Sequence, residues 1–455
     1  MCRVVFAVVL FFAANAAAAE PTKTLPLERR EMVADLEQLV VAAKAGWAYA
    51  DYRGNNGVDL DSLLASAVAS LPEHSERSDF ARVMQRFVAM LQDGHAWVAA
   101  PGLDDERSHV WPFTIVDARE GLIVDRVEPM LRAPRRGDAL IAVNDVAASD
   151  LLSRAVELVP ASTSGMGRAR ALQTLRLTPA PRNRFTFRKA SGRTFSVDLA
   201  NMPLPAVAAL PSVGPWLAWK MLPRDIGHIR IASLTALDQK AWRTAAPSAR
   251  DGMLARQYDD IDQAFAALAA TRALILDLRG NLGGTDLLGM RLAQHLVPAG
   301  SSYYRLEDPT IKRPANATLP AIPIPTTPAL TPYPGQLIVL IDALSFSATD
   351  NLLACLHALR PRTAFVGRPS GGGSGAPRLA VKLAHSGFEV GYSTLRVYDP
   401  AGGLIEGHGT IPTLPVTKTR ADVVAQRDPD LAAALRTQVP PKRIVPLSPR
   451  LPRRP

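Results

Sequence analysis

The sequence predicts a multidomain protein that mixes α/β and α+β architecture: an N-terminal helical domain, a β-rich middle domain and a C-terminal α/β domain. Three observations predict it. Apolar residues recur at helical spacing from 25 to 100, as in Leu36, Leu39, Val40 and Ala43. They alternate at strand spacing from 101 to 200, and from 214 to 439 apolar strands alternate with amphipathic helices. With 455 residues, the protein is long enough for several hydrophobic cores.

Residues 1–19 have the pattern of a signal peptide. A charged Arg3 precedes the apolar run 4–14, and three alanines end the segment before Glu20. The run is too short to span a bilayer, so we expect an exported protein without a transmembrane segment. The alanine-rich end indicates a bacterial periplasm. The mature protein keeps only Cys355, which excludes an intrachain disulfide and is expected to pack in a helix.

The net charge of +10 arises partly from a basic, proline-rich tail at 440–455. A basic balance can indicate nucleic acid or an anionic membrane as the partner. The sequence has no zinc finger, no aromatic-basic RNA motif and no helix-turn-helix pattern, so we expect a solvated surface and no nucleic-acid partner. It also lacks the H-E-x-x-H pattern of metal hydrolases, and we expect neither a metal nor another cofactor.

The junction around Ser347 suggests chemistry. Residues 337–341 form a continuous apolar strand, 342–346 a turn, and an apolar-periodic helix follows. A serine hydroxyl at the end of a buried strand is exposed, and a helix N-terminus supplies free N–H groups and positive potential. Both suit a nucleophile that generates an oxyanion. Serine is equally a good N-cap, so this stretch alone leaves both interpretations open.

A second stretch of the sequence favours the nucleophile over the N-cap interpretation of Ser347. Residues 273–284 read ALILDLRGNLGG, a buried strand followed by Asp-Leu-Arg-Gly-Asn and a glycine pair. Together with the downstream S-x-S-A-x-D at 345–350, it resembles the tail-specific (C-terminal-processing) serine peptidase family. The resemblance implies a PDZ-like domain at 101–200 and a ClpP/crotonase-like peptidase domain at 214–439. It implies polypeptide substrates, which the protein can bind through their C-termini. It also allows the protein to form a homo-oligomer.

The motifs also indicate the general base. Serine–lysine members of the family carry a lysine where this protein has Gly373, and Lys382 lies too far along to replace it. The tricorn-like branch instead shows Asp-Gly-His after a small helical domain, as here at 93–95, which implies His95 as the base. We expect Gly94 to end the preceding helix. Glu406 matches the glutamate of the closing family motif, although Thr413 stands where an aspartate is usual.

These residues together predict an acyl-enzyme mechanism. His95 would take the proton of Ser347, and Glu406 would support the histidine directly or through another polar group. The oxyanion would bind the N–H groups of Ala348 and of Gly283 or Gly284. His408, two residues from Glu406, is the rival base.

We expect a salt bridge between Asp277 and Arg279 to hold their loop in place.

Two alternatives to the peptidase function remain. One is a catalytically silent protein that binds peptides or hydrophobic ligands on the same fold. The other is an adaptor that acts through its PDZ-like segment.

Overall fold

The computed structural model describes most of the protein, namely residues 26–55, 57–100, 107–204, 215–314, 317–327, 330–375 and 377–437. The predicted signal peptide at 1–19 and the basic tail at 440–455 lie outside the described residues. The mixed α/β multidomain class that the sequence predicts is confirmed.

The N-terminal part is helical. The predicted stripe Leu36, Leu39, Val40 and Ala43 is fully or almost fully buried in its core. Its elements are β1 (Leu27–Glu28), α1 (Arg29–Gly46), α2 (Ala50–Asn55), α3 (Leu60–Ala69), β2 (His74–Ser75), α4 (Arg77–Met90) and β3 (Trp97–Ala99).

The end of α4 differs from the prediction. The residue in the left-handed conformation is Gln92, with φ of 56°, and not Gly94. Gly94 therefore does not end the helix. A Cβ there would lie 2.8 Å from ring atoms of Phe346, so the position lacks space for a side chain.

The middle part is β-rich. Its principal sheet has the order β11-β10-β7-β6-β5, with β8 paired to β7, and a smaller sheet joins β12, β4 and β9. The predicted Asn144–Asp145 turn is present, with positive φ at both residues, as a tight hairpin requires. Its elements are β4 (His109–Val110), β5 (Phe113–Ala118), β6 (Gly121–Val127), β7 (Ala139–Val143), β8 (Val146–Ala147), α5 (Ala148–Val156), α6 (Ser164–Thr174), β9 (Leu177–Thr178), β10 (Arg182–Arg188), β11 (Thr194–Ala200) and β12 (Met202–Pro203).

The C-terminal part is built on a six-stranded sheet of order β13-β14-β15-β18-β19-β23. All its pairs are parallel except β13 with β14. Its strands are β13 (Leu217–Leu222), β14 (Ile226–Ile231), β15 (Ala273–Asp277), β16 (Ser302–Glu307), β17 (Ala321–Pro323), β18 (Gln336–Ile341), β19 (Ala364–Gly367), β20 (Pro377–Lys382), β21 (Glu389–Ser393), β22 (Arg396–Tyr398) and β23 (Leu414–Pro415). Its helices are α7 (Gln239–Thr244), α8 (Pro247–Met253), α9 (Ala255–Leu268), α10 (Asp286–Gln294), α11 (Ala348–Leu359), α12 (Arg420–Val424) and α13 (Pro429–Arg436).

Helices cover both faces of this sheet, which explains why its strands are continuously apolar. Leu274 and Leu276 of β15 pack in the cluster with α9, α10 and α11. Ala273 and Ile275, which point the other way, pack in the cluster with α13. The parallel strands β15 and β18 therefore deliver the loops that follow them to one edge of the sheet.

Two further sheets belong to the C-terminal part, and the second of them joins it to the helical part. Strand β17 pairs with β16 and β16 with β22, so the proline-rich stretch after β16 contributes a short edge strand. The hairpin β20–β21 pairs with β3, and its Leu383, Phe388, Val390 and Tyr392 complete the helical core. Among the described residues, no helix combines the length and apolar character that crossing a membrane requires.

Candidate active site

Ser347 occupies the strained turn between β18 and α11. Its φ of 62° and ψ of −126° are unusual for a residue with a side chain. The Ser347 N–H donates to the carbonyl of Gly373 at 3.1 Å. Although Ser347 stands at the N-cap position of α11, its side chain makes no capping hydrogen bond. The geometry therefore does not support the plain N-cap interpretation.

The Ser347 hydroxyl faces His95. Nε2 of His95 lies 2.9 Å from Oγ of Ser347. Burial lowers the pKa of His95 to about 4; Asp93 opposes this shift and Arg170 adds to it. The imidazole is consequently neutral at pH 7. Nε2 accepts the hydroxyl proton only in the tautomer with its own proton on Nδ1.

The other ring nitrogen is unusual. Nδ1 of His95 is buried and has no hydrogen-bond partner among the described residues. In a familiar serine–histidine–carboxylate triad, this atom would donate to the carboxylate. Here the carboxylates of Glu406 and Asp93 lie close by, since His95, Asp93 and Glu406 each offer one atom within 4.8 Å of the others.

Asp93 fixes the backbone around the histidine. Its carboxylate accepts from the N–H of His95 at 2.9 Å, from Nε1 of Trp47 at 3.1 Å, and from both the N–H and the hydroxyl of Ser393 at 2.8 and 2.9 Å. Asp93 thus joins the end of α1, the His95 loop and β21. The sequence places it in the Asp-Gly-His motif, but its contacts with Trp47 and Ser393 come from residues distant in sequence.

Glu406 is fully buried behind the site, where Oε2 accepts the N–H of Ser374 at 3.2 Å.

The backbone of Glu406, and not its carboxylate, contacts the ring of the rival base His408. Its Nδ1 lies 3.0 Å from the Glu406 carbonyl oxygen, and its contacts within the described ranges do not include Ser347. The geometry therefore favours His95 over His408 as the base.

Asp93, His95 and Glu406 have ligand types that suit a metal ion, but their surroundings oppose one. Both oxygens of Asp93 are already hydrogen-bonded. The guanidinium of Arg170 is buried; burial lowers its pKa to about 10, while Asp93 and Glu406 stabilise its charge. The cluster thus already contains a cation.

Arg170 belongs to α6, so the β-rich middle part contributes to the site. Its Nη1 donates to the carbonyls of Gly94 and Pro160 at 2.8 and 2.6 Å. Ser162 Oγ accepts the N–H of Gly94 at 3.0 Å, and Thr163 Oγ1 donates to the carbonyl of Gly371 at 3.1 Å. Sequence reasoning missed these residues because no local motif marks them.

Asp350 holds the glycine-rich loop that follows β19. The carboxylate is buried in the first turn of α11 and accepts the N–H groups of Gly372 at 2.8 Å and Gly373 at 3.1 Å. The hydroxyl of Ser370 donates to its other oxygen. Burial raises the pKa of Asp350 to about 7, against the lowering effect of these hydrogen bonds. The sequence motif at 345–350 includes Asp350 but indicates no role for it.

The two predicted oxyanion glycines differ. A Cβ on Gly283 would lie 2.9 Å from N of Ala348, so this loop lies against the start of α11. The Gly283 N–H, however, donates to Oδ1 of Asn281 at 3.0 Å. No hydrogen bond from the N–H of Gly284 or Ala348 to another described residue is found. Gly284 is therefore the better donor candidate to accompany Ala348.

A lysine base has no space in this site. A Cβ on Gly373 would clash with the Phe346 ring, coming within 2.9 Å of Cζ, and with the hydroxyl of Ser162. Lys382 lies at the end of β20, opposite Glu389 in the hairpin that packs on the helical part.

The expected salt bridge between Asp277 and Arg279 is present at 2.7 Å. Arg279 also pairs with Asp428 at 2.8 Å and Asp430 at 2.9 Å, which ties the glycine loop to α13. Burial would raise the pKa of Asp277, but the hydrogen bonds and the charge of Arg279 hold it well below its usual range. Cys355 is buried in α11, and burial raises its pKa to about 12.

Comparisons with known proteins agree with this architecture. The model of peptidase family S41 matches residues 225–416. Mature CPAF is similar in structure, with TM-score 0.68 and 18% identity over 87% of this protein and 94% of CPAF. CPAF complexed with lactacystin gives TM-score 0.69 and 17% identity over 88% and 96%.

A third crystal structure, described as a peptidase from Parabacteroides merdae ATCC 43184, gives TM-score 0.52 and 15% identity over 90% and 96% of the two proteins. At these identities the structural similarities establish the fold alone. The search of curated protein sequences finds no match.

Proposed function

We propose that this protein, which matches the model of peptidase family S41 over residues 225–416, hydrolyses peptide bonds of polypeptides through an acyl-enzyme on Ser347. The observation that carries the proposal is the 2.9 Å separation between Oγ of Ser347 and Nε2 of His95. A serine hydroxyl becomes an effective nucleophile when a neutral base lies within hydrogen-bond reach. A histidine base agrees with the tricorn-like branch of the family.

The reaction would proceed in two halves. His95 Nε2 takes the proton as Ser347 Oγ attacks the substrate carbonyl, and returns it to the amine that leaves. Water then attacks the acyl-enzyme with His95 again as the base. The N–H groups of Ala348 and Gly284 are our candidates for binding the oxyanion in both halves.

The surroundings of His95 suit this cycle. The low pKa keeps the resting imidazole neutral and ready to accept a proton. The imidazolium that forms is stabilised by the buried carboxylates of Glu406 and Asp93, which lie within 4.8 Å. Glu406 therefore supports the base through its charge, without a hydrogen bond to Nδ1 in the resting site.

The wider setting is proposed from the sequence. Residues 1–19 would direct the protein out of the cytoplasm into a bacterial periplasm. The middle part at 101–200 would act as a PDZ-like domain, bind the C-termini of polypeptides by strand addition and take part in substrate choice. Homo-oligomerisation is an option that such a domain arrangement permits.

The experiment is labelling with a fluorophosphonate, followed by intact-mass analysis. Wild type is expected to gain one adduct, Ser347→Ala none, and His95→Ala one adduct at a rate at least about 100-fold lower. Ser149→Ala and His74→Ala are matched controls because both side chains are exposed and neither belongs to the site. A folded wild type that gains no adduct and cleaves no unfolded protein would support the alternative, a silent binder of peptides or hydrophobic ligands.

A further inference from the structure

Phe346, the residue before the nucleophile, packs against the proposed base. The centroid of its ring lies 4.5 Å from the centroid of the His95 imidazole, with 32° between the planes. Phe346 is only 3% exposed. Its backbone is held as well, since the N–H of Phe346 donates to the carbonyl of Asn281 at 3.0 Å. The ring is therefore a fixed surface beneath the imidazole.

Three glycines form the socket of this ring. At Gly94, Gly371 and Gly373, an added Cβ would come within 2.9 Å of a Phe346 ring atom. None of the three has a positive φ, so none is required by the backbone conformation. Space is the reason for glycine at these positions, and the three come from two different loops that meet at the ring.

A cation completes the packing. Cζ of Arg170 lies 5.0 Å from the centroid of the Phe346 ring, within the range of a cation–π interaction. The same guanidinium donates to the Gly94 carbonyl. Arg170 therefore contacts both the Phe346 ring and Gly94, one of the three glycines that surround the ring.

The imidazole needs such a support because hydrogen bonds fix it incompletely. One ring nitrogen contacts Ser347, and Nδ1 has no partner in the part of the protein that the structure describes. A ring held at one atom can rotate about that contact. Packing of its face against a rigid aromatic ring removes this freedom.

We propose that Phe346 is the positioning residue for His95 and that the glycines at 94, 371 and 373 are the space it requires. This inference rests on the proposed function, in which Ser347 and His95 carry the reaction. It also explains the missing lysine. The Phe346 ring occupies the volume into which a side chain at position 373 would extend, so this site accommodates the aromatic ring or a lysine, and not both.

The test is Phe346→Leu, which keeps an apolar side chain of similar length and removes the aromatic face. The expected result is a fall in kcat of about 10- to 100-fold with KM changed less than about 3-fold, because a base displaced by about 1 Å slows the chemical step. Phe388→Leu is the matched control. Phe388 is also fully buried and stacks on another ring, Phe80, in the helical core. The Phe388→Leu variant should leave kcat unchanged.

NMR of the His95 ring protons gives a second readout that does not need turnover. In Ser347→Ala, the protons of His95 are expected to be shifted upfield by the Phe346 ring current, and Phe346→Leu in that background abolishes the shift. An active wild type with kcat unaffected in Phe346→Leu overturns the proposal alone, as does the absence of the shift in Ser347→Ala. A folded wild type without labelling or turnover overturns the proposed function, and this inference with it.

Discussion

The carboxylate of Asp350 accepts the N–H of Gly373 at 3.1 Å, and the carbonyl of Gly373 accepts the N–H of Ser347 at the same distance. A buried acid in the first turn of α11 thus determines where the backbone of Ser347, the proposed nucleophile, lies. Three donors of the glycine loop converge on this carboxylate. The ionised form accepts all three, whereas a protonated carboxyl group offers a donor at one of its oxygens.

The first prediction concerns pH. Because burial raises the pKa of Asp350 to about 7, protonation below that pH turns one acceptor oxygen into a donor and rearranges the hydrogen bonds that place Gly373 and, through it, Ser347. We expect kcat/KM of the wild type to fall about tenfold per pH unit below about 7. In Asp350→Asn, kcat/KM should be lower at pH 8 and should lose this inflection. The measurement is a pH profile with an unfolded protein substrate.

An unchanged inflection in Asp350→Asn would assign it to another group. The control is Asp59→Asn, an exposed helix cap. Chemical denaturation provides a second check. Since the folded-state pKa is raised from 3.8 to about 7, the contribution of Asp350 to the free energy of unfolding is full below about pH 4 and is lost as the pH rises to 7. Asp350→Asn should lack that slope.

The second prediction concerns Arg170. Its positive charge contributes to the low pKa of His95, so Arg170→Gln is expected to raise that pKa, as NMR titration of the histidine would show. The variant also loses the two hydrogen bonds from the charged guanidinium to the carbonyls of Gly94 and Pro160, at about 1.5–3 kcal/mol each in the free energy of unfolding.

Arg168→Gln is the control on the same helix. Its partner Asp117 is near the surface, and the expected loss of stability is about 1 kcal/mol or less. If the His95 pKa in Arg170→Gln equals that of the wild type, the charge of Arg170 does not act on the base.

The third prediction concerns the oxyanion loop. In Gly284→Ala the new Cβ would overlap the carbonyl of Leu234 and lie 2.5 Å from N of Thr235, at a φ of 146° that side chains rarely adopt. The loop must shift, and kcat should fall by about 100-fold or more, the usual effect of losing one oxyanion donor. Steady-state kinetics on the folded variant measure it.

Gly280→Ala is the matched control in the same loop. Its φ of 72° makes alanine unfavourable by about 1 kcal/mol, but a Cβ there meets no other atom within 4 Å. Equal losses of kcat in the two variants would mean that the loop tolerates no strain anywhere, and would remove the argument for Gly284 as a donor.

The fourth prediction concerns the salt bridge between Asp277 and Arg279, which locks the glycine loop. Arg279→Met leaves the carboxylate of Asp277 buried and poorly compensated, which costs about 3–5 kcal/mol in the free energy of unfolding. The pKa of Asp277 is depressed in the folded state. Its contribution is therefore present above about pH 4 and is lost as the pH falls further, so the difference from wild type should shrink in acid.

Urea denaturation at pH 7 and at about pH 3 measures this difference. Arg230→Gln is the control. Arg230 lies 3.4 Å from the same carboxylate, but 45% of its side chain is exposed, and its removal should cost about 1 kcal/mol or less. A loss in Arg279→Met no larger than in Arg230→Gln would contradict the lock.

Local sequence patterns suffice for the elements that carry the site. The apolar strand before Ser347, the helix after it and the glycine pair at 283–284 were predictable, because short-range periodicity and backbone preferences depend on neighbouring residues. The sequence also shows directly that glycine replaces the family's catalytic lysine at position 373. The motifs also named His95 and Glu406 as site residues, which remains a prediction that labelling and kinetics must test.

How those elements meet depends on tertiary packing. His95 reaches Ser347 across 252 positions, and Arg170 enters the site from the β-rich part. The Gly283 N–H is taken by Asn281, and the Phe346 ring fills the space at Gly373. None of this is visible in a local pattern, because packing between distant segments depends on the combined shape and charge of every residue that surrounds the site.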